Sequence, residues 1–195
     1  MSIVAALGGK LSPIELPIQT PRLTLRLPRQ ADAPRLTRLL NHPSVFDPVM
    51  SSHTKLTLSG EKEWVRRSLR AARMGSKLAL IIELRTGGPL IGGIGLEIQD
   101  ADNKRAHIGY WLAKPYWHQG LASEAASAVC RAGFREAGLH RIDTGVFAFN
   151  PRSMILLKRL GFKTEGTRRE VLYRRGRWHD EVIFSLLARD FRPRP

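Results

Sequence analysis

The sequence predicts an α+β fold built around one mixed sheet, and three observations support that prediction. Three apolar segments follow one another at 78–84, 90–98 and 105–112, with turn residues between them. A segment with helical spacing comes next, and a strand, a further helix and a terminal pair of strands follow it. This order is typical of helices packed against a single sheet.

The composition is that of a globular chain with an unusual excess of positive charge. Of 195 residues, 43% are hydrophobic and 25% are charged, and the net charge is +15. Such a charge favours anionic ligands or surroundings, including nucleic acid, phosphorylated cofactors and anionic membranes. It argues against a strongly polycationic substrate unless a local acidic groove overrides the overall field.

Cysteine usage and hydropathy indicate the compartment. Cys130 is the single cysteine, which excludes an intrachain disulfide and fits a reducing cytoplasm. Its helical neighbours Ala126 and Val129 indicate a buried structural thiol. No apolar segment approaches the roughly 18 residues of a membrane span. We therefore expect a cytoplasmic protein that does not use a membrane, with residues 1–16 as a loose tail before one domain over residues 17–195.

The first part of this domain is predicted to hold one strand and two helices. Residues 22–27 alternate leucine with polar residues, as in a half-buried strand. Asp32 is expected to cap the first helix, and Ser59 the second, which ends at Gly75. The irregular segment 43–58 between the helices is either a loop that carries specificity or a connector.

Residues 107–126 predict a strand, a turn and the start of a helix at Gly120. Gly120 has no Cβ, so a ligand can approach the backbone closely. Ala122 and Ser123 are small and leave the N–H groups of the first turn uncovered. Those groups have no partner inside the helix, and the helix dipole favours negative charge beside them. The segment therefore predicts a phosphate-binding turn, although a single glycine is a weak motif and many helices start this way without a ligand.

The remaining elements complete the sheet. Residues 141–149 form the next predicted strand, and Asn150 is expected to cap a helix with Pro151 at its first position. Two strands at 171–173 and 182–187 form a terminal hairpin.

Three segments, in this order and spacing, resemble the GNAT superfamily of acyl-CoA-dependent N-acetyltransferases. They are IGYWLAKPYWHQGLASEA, NPRSMILLKRLGF and GRWHDEVIFSLL. The resemblance covers residues 20–190 and is closest to the branch that contains the bacterial ribosomal-protein N-terminal (alanine or serine) acetyltransferases. It implies a mixed, mostly antiparallel central sheet flanked by helices. It also implies a V-shaped splay between two parallel strands, 105–112 and 141–149.

The resemblance further implies that acetyl-CoA binds in this V-shaped opening. Its pyrophosphate would lie on backbone amides between residues 118 and 123, and its pantetheine arm along the strand that ends at Leu112. Trp117 occupies a fingerprint position where the superfamily often has Arg or Gln. Asn150 would reach the arm from the other side, or act only as a helix cap, or do both. The implied cofactor-binding residues are Trp111, Leu112, Ala113, His118, Gln119, Gly120, Leu121, Ala122, Ser123 and Asn150.

A general acid is implied at Ser153. Many superfamily members carry a tyrosine seven residues after the asparagine, but this chain has Leu157 there, which is more simply a core residue. In the ribosomal branch a serine three residues after the asparagine is the proposed acid, and Ser153 stands at that position. The alternative is an ordinary serine in the first turn of a helix. A backbone N–H near Leu112 is expected to stabilise the oxyanion.

The attacking amine begins as an ammonium ion and must lose a proton. The candidate bases are Glu97, His107 and Glu170. His107 has an ordinary pKa of about 6.5 and alternates with Trp111 along its strand, so it is expected to share a face with the cofactor. The alternative is a histidine that faces solvent. The histidines show no metal-ligand spacing, and we predict no metal.

We therefore predict an N-acetyltransferase for a primary amine, most simply a protein N-terminal α-amino group. The alternatives are an acetyltransferase for a small amine or antibiotic, and a non-catalytic GNAT domain that binds acyl-CoA or nucleic acid. The chain could act as a monomer or a homodimer. Five arginines on or near the last hairpin could bind ribosomal RNA or form a solvated face. They are Arg168, Arg169, Arg174, Arg175 and Arg177.

Overall fold

The computed structural model describes residues 3–7, 11–45, 55–85, 87–174 and 176–192. The helices and strands are, in chain order, β1 (Ile3–Leu7), β2 (Leu11–Leu16), β3 (Ile18–Gln19), β4 (Leu23–Arg26), α1 (Ala33–Leu40), α2 (Leu58–Met74), β5 (Lys77–Leu84), β6 (Leu90–Asp100), β7 (Arg105–Leu112), α3 (Leu121–Arg135), β8 (Arg141–Phe147), α4 (Pro151–Arg159), β9 (Lys163–Arg174) and β10 (Arg177–Leu187).

The central sheet has eight strands in the order β3-β4-β5-β6-β7-β8-β10-β9. All neighbouring strands are antiparallel except β7 and β8. Side chains alternate between the two faces of each strand. On β5, Leu80 and Ile82 therefore join the larger core with α3 and α4, whereas Ile81 joins a smaller core with α1 and α2. This mixed sheet with helices on both faces confirms the predicted fold class.

The two parallel strands separate after three residues. Their pairing runs from Arg105 opposite Arg141 to His107 opposite Asp143 and stops there. Beyond that point β7 stays paired with β6 as far as Leu112, and β8 stays paired with β10 as far as Phe147. The two strands therefore diverge, and they leave the V-shaped opening that the sequence predicted.

The N-terminal residues differ from the expected loose tail. Strands β1 and β2 form an antiparallel hairpin, and Ile14 and Leu16 are buried in the larger core. The Glu15 N–H also donates to the Glu136 carboxylate at 3.1 Å. The alternation of apolar Ile14 and Leu16 with exposed neighbours gives this segment one face that it can bury.

Two helix starts also differ from the prediction. Thr57, not Ser59, caps α2, because its backbone is extended and its hydroxyl accepts from the Gly60 N–H at 3.1 Å. Asp32 precedes α1 but does not cap it. Its carboxylate instead binds the Arg26 guanidinium and the Arg29 N–H.

The terminal hairpin is longer than predicted. Strand β9 begins at Lys163, and most of its side chains are exposed and polar, so it lacks the alternating apolar signal. Pairing with β10 holds it in the sheet. Strand β8 ends at Phe147, two residues earlier than predicted. Of the segment 43–58, residues 46–54 lie outside the described residues.

No helix among the described residues is both long and apolar enough to cross a membrane.

Candidate active site

The end of β7 directs a backbone N–H into the V-shaped opening. The Ala113 N–H donates to the Ile91 carbonyl at 2.8 Å, and the preceding Leu112 lies opposite Gly92. Since consecutive residues of a strand direct their peptide groups to opposite edges, the N–H and C=O of Leu112 point away from β6 and into the opening. The Leu112 carbonyl accepts from the Trp117 indole at 2.7 Å. The Leu112 N–H therefore remains directed at the opening, as an oxyanion donor must be.

The turn before α3 has the geometry of an anion site. His118 and Gly120 both have left-handed backbone angles, with φ of 62° and 75°. Gly120 is the N-cap of α3, and no side chain caps the first turn. The helix therefore presents its first N–H groups to whatever lies beside the turn. The exposed side chains of His118 and Gln119 point away from the core, so a ligand would meet mainly backbone there.

Arg22 adds positive charge to this turn. Its guanidinium donates to the Gln119 carbonyl at 2.9 Å and to the Glu124 carboxylate at 2.6 Å. A pocket of about 580 Å³ continues from the turn, and it is lined by Pro21, Arg22, Leu84, Arg85, Gln119 and Leu121. Uncapped amides next to two arginines fit a pyrophosphate group.

Ser153 is held by a tyrosine from β7. The hydroxyls of Tyr110 and Ser153 are 2.7 Å apart, and the Asn150 side chain accepts from the Ser153 N–H at 3.4 Å. Burial raises the pKa of Tyr110 to about 12, although the bond to Ser153 opposes this rise. Tyr110 therefore remains protonated at neutral pH and can donate to Ser153. The bond joins β7 to α4 across the opening.

Sequence reasoning did not identify Tyr110 as a site residue. An aromatic residue in an apolar strand is most simply a core residue, and Tyr110 does pack against the larger core. Its hydroxyl partner lies 43 residues further along the chain. The only local signal is that a buried tyrosine needs a hydrogen-bond partner. Leu157 is fully buried, as expected of a core residue.

His107 lies on the opposite face of β7 from Tyr110, because the two residues are an odd number of positions apart. It sits opposite Glu97 on β6 and Asp143 on β8. Burial lowers the pKa of His107, and the carboxylates of Glu97, Glu181 and Asp143 only partly oppose this effect. A lowered pKa leaves the imidazole neutral at neutral pH, so it can accept a proton.

The other two candidate bases are less well placed. The Glu97 carboxylate is bound to Lys77 at 2.8 Å, and 47% of its side chain is exposed. Glu170 is exposed on β9, where its N–H donates to Asp180. Lys77 already neutralises the Glu97 carboxylate, and solvent hydrates that of Glu170, so neither carboxylate needs a substrate amine as a partner. Their roles, and those of the other predicted site residues, remain predictions.

The predicted cofactor-binding residues divide into two groups. Leu112, Ala113 and Leu121 are buried, so their side chains serve the core and only their peptide groups are available to a ligand. Trp111 packs partly against the smaller core. The side chains of Ala122, Ser123 and Asn150 are partly exposed near the opening.

The basic cluster at the hairpin is smaller than the sequence suggests. Arg168, Arg169 and Arg177 are exposed, but only 5% of Arg174 is exposed. The alternation of β9 turns Leu172 and Arg174 to the covered face of the hairpin. The expectation that Arg174 belongs to a solvated face is therefore wrong, and Arg175 lies outside the described residues.

No group of three or more His, Cys, Asp or Glu residues that could hold a metal ion occurs in the described parts of the chain.

The chain therefore has an opening between two splayed parallel strands, with an uncapped helix start at its edge. The family model for the acetyltransferase (GNAT) domain matches residues 22–163. The chain belongs to the GNAT acetyltransferase family and is an acetyl-CoA-dependent N-acetyltransferase.

Similar proteins include bacterial enzymes of uncharacterised and known specificity. The uncharacterised N-acetyltransferase p20 of Bacillus licheniformis is 31% identical over 89% of this chain and 97% of its own. The ribosomal protein uS5-alanine N-acetyltransferase of Escherichia coli is 36% identical, over 45% of each chain. A structure of a ribosomal L7/L12 α-N-protein acetyltransferase in complex with coenzyme A has the same fold. Its TM-score is 0.79 at 21% identity, over 88% of this chain and 97% of that one.

Proposed function

We propose that this acetyltransferase acts on the α-amino group of a protein N-terminus, of the kind that ribosomal-protein acetyltransferases modify. The observation that carries the proposal is the half-buried His107 in the last β7–β8 pair before the opening, where a lowered pKa keeps its imidazole neutral. An α-amino group has a pKa of about 7.7–8.0, whereas that of a lysine side chain is about 10.4. A weakly basic imidazole can therefore deprotonate the first far more readily than the second.

In this proposal the cofactor is held mainly by backbone. The amides of residues 118–123 and the Arg22 guanidinium hold the pyrophosphate, and Asn150 lies beside the pantetheine arm. Bound in this way, the cofactor supplies an acetyl thioester. The Leu112 N–H donates to the thioester oxygen, which becomes more negative as the amine attacks.

Ser153 donates a proton to the departing sulfur, and Tyr110 donates to Ser153. The thiol has a pKa of roughly 8.5, so it needs only modest help to leave. The positions of the proposed acid and base on opposite faces of the sheet support these separate roles. Tyr110 lies on the α3 face and His107 on the other face, so an amine and a leaving thiol would occupy opposite sides of the opening.

A small-molecule acceptor is the second candidate, and one cavity favours it. A pocket of about 550 Å³, the size of a small-molecule site, lies next to the end of β7. It is lined by Arg38, Leu39, His42, Val45, Ala113, Lys114 and Pro115. Its basic side chains repel an ammonium ion, so a small acceptor in this pocket would have to carry an anionic group.

The test is a panel of acceptors with saturating acetyl-CoA. It would include short peptides that begin with Ala or Ser, the same peptides with a blocked N-terminus and an internal lysine, and small amines with and without a carboxylate. We expect turnover with free N-terminal peptides and none with the blocked ones. Turnover confined to the small amines would move the second candidate ahead.

A further inference from the structure

The Glu181 side chain lies across a glycine at the start of the V-shaped opening. Glu181 is opposite Phe147 in the pairing of β10 with β8, and its side chain leans along β8 over Gly145. A Cβ at position 145 would collide with the Glu181 carboxylate, and this carboxylate lies nearer to Gly145 than the methylene groups do. The Glu181 carboxylate therefore fills the space that a side chain at position 145 would occupy.

The register places this carboxylate on the same face as His107. Asp143 is the last residue of β8 that pairs with β7, and its partner is His107. Gly145 follows two residues later on the same face of β8, where the strands have begun to separate. Glu181 is also one of the carboxylates that act on the pKa of His107. Tyr110 and Ser153 lie on the other side of the sheet.

The nearby carboxylates differ in the partners that already bind them. Glu165 is bound by Arg141 and by the Ser185 hydroxyl, Asp143 is paired with Arg141, and Glu97 is bound by Lys77. Glu181 is paired with Arg168 at 3.3 Å. The Arg168 side chain is 66% exposed and that of Glu181 only 19%. An incoming ammonium ion can therefore replace Arg168 by displacing one exposed side chain, at little cost.

We propose that Glu181 is the carboxylate that binds the ammonium group of the acceptor and takes a proton from it. This inference rests on the proposed transfer to a primary amine, but not on that amine being a peptide N-terminus. Sequence reasoning had three candidate bases, and Glu181 was not among them.

The chemical step balances with groups that are present. The ammonium ion gives one proton to the Glu181 carboxylate, which passes it to His107, and the nitrogen lone pair then forms the C–N bond to the thioester carbon. The C–S bond breaks, and the sulfur takes its proton from the Ser153 hydroxyl; Tyr110 reprotonates Ser153 and regains its own proton from water. The second nitrogen proton leaves to water as the amide forms.

The first experiment replaces Glu181 by Gln, which keeps the shape and removes the charge. We expect kcat/KM for the best amine of the panel to fall by about 10²- to 10⁴-fold, the usual contribution of a general base. The dissociation constant of acetyl-CoA should stay within about twofold in calorimetry, since Glu181 is not among the residues proposed to hold the cofactor. The matched control is Glu165→Gln, which removes the same charge from the same face and should retain most of the parental kcat/KM.

The second experiment displaces the carboxylate without removing it. Gly145→Ala should lower kcat/KM strongly in the parent, because the new methyl group occupies the position of the carboxylate. In a Glu181→Ala background the same substitution should have no further effect, since the carboxylate is already gone. A double-mutant cycle of this kind isolates the coupling between the two positions. Thermal melting and acetyl-CoA binding check that every variant is folded.

Parental kcat/KM in Glu181→Gln would overturn the inference, as would an equal loss from Gly145→Ala in both backgrounds. The proposed function fails in a different way. If the parent acetylates small amines but no free N-terminal peptide, the peptide acceptor is wrong, and the same variants still test Glu181 on the small amine.

Discussion

At the scale of single residues, two hydroxyl groups connect β7 to α4 at the opening. Tyr110 is buried and its pKa is raised to about 12, so its proton is available to Ser153 over the whole physiological range. The 2.7 Å bond orients the serine hydroxyl, and in the proposed mechanism the serine proton goes to the leaving sulfur. We infer that Tyr110 positions Ser153, as well as filling the core.

The first prediction concerns this pair. Ser153→Ala should lower kcat by about 10²-fold, because the proton donor to the thiol is lost. Tyr110→Phe should also lower kcat, by a smaller factor, since it removes only the group that orients Ser153. Neither change should weaken acetyl-CoA binding by more than a few-fold in calorimetry.

Steady-state kinetics with a short peptide are the measurement, and Tyr173→Phe on β9 is the control because that tyrosine is 47% exposed. Parental kcat in Ser153→Ala would reduce Ser153 to an ordinary helix serine. A double variant that is no worse than Ser153→Ala would show that Tyr110 acts through Ser153.

A second residue-scale prediction concerns Glu61 in the first turn of α2. Only 4% of Glu61 is exposed, and its Oε2 atom has no hydrogen-bond partner among the described residues. Burial raises the pKa of Glu61 above its ordinary value. The folded state therefore loses stability as the pH rises through this raised pKa, because the buried carboxyl must ionise.

Glu61→Gln removes that ionisation, so it should raise Tm at pH 7 by about 2–4 °C, the shift expected for roughly 1 kcal/mol in a chain of this size. The gain should shrink as the pH falls through the raised pKa and vanish below about pH 4.5, where the carboxyl is protonated in both the folded and the unfolded parent. Thermal melts from pH 4 to pH 8 are the measurement. The neighbouring Glu63→Gln, which removes an exposed carboxylate paired with Arg66, should show neither effect. An equal gain at both ends of the pH range would contradict this account.

At the scale of elements, the start of α3 is the segment that we propose binds the phosphates of the cofactor. Gly120 allows the left-handed turn, leaves the first amides of the helix uncapped and lies beside the Arg22 guanidinium. The turn and the uncapped amides come from one short segment around Gly120, and the positive charge comes from Arg22, just before β4. The site therefore depends on how α3 is docked against β4 and β7.

Gly120→Glu should abolish acetyl-CoA binding, because it places a bulky anion where the pyrophosphate should lie. Part of any effect would come from backbone strain, since a left-handed conformation costs a residue with a side chain roughly 1–2 kcal/mol. Gly138→Glu is the matched control. Gly138 has nearly the same φ, 71°, and open space around its Cβ position.

Calorimetry on folded protein should therefore show parental affinity in Gly138→Glu and none in Gly120→Glu. Equal affinity in the two variants would remove the phosphate-binding turn from this description.

At the scale of the whole molecule, the net charge of +15 is the feature that depends least on the fold. If the physiological acceptor lies beside ribosomal RNA, exposed arginines of the hairpin should contact phosphates and release counterions. Arg169 and Arg177 suit this test because both are exposed. Arg174 does not, because it is buried and its loss would perturb the hairpin itself.

Arg169→Ser combined with Arg177→Ser should lower the salt dependence of binding to ribosomal particles. Each lost phosphate contact should reduce the slope of log K against log salt concentration by about one. Turnover of a short neutral peptide should stay close to parental. A salt titration of parent and double variant on the same particles is the measurement, and identical slopes would leave the cluster as a solvated face.

Much of this protein follows from its sequence, because the relevant physics is local. The apolar segment 105–112 predicts the bounds of β7, Asn150 and Pro151 predict the start of α4, and Gly120 predicts a turn at a helix N-terminus. In each case a few neighbouring residues set the backbone conformation. The three segments that resemble the GNAT superfamily were sufficient for the family and the class of reaction.

Only the tertiary structure decided which side chains meet at the opening. The Tyr110–Ser153 bond, the Glu181 carboxylate over Gly145 and the burial of Arg174 all depend on which strands are neighbours and in which register. The packing of the N-terminal hairpin on the larger core also depends on contacts between residues far apart in the chain. Such contacts join residues far apart in the chain, and no local pattern records them, because a shift of one residue in register would turn each side chain to the other face.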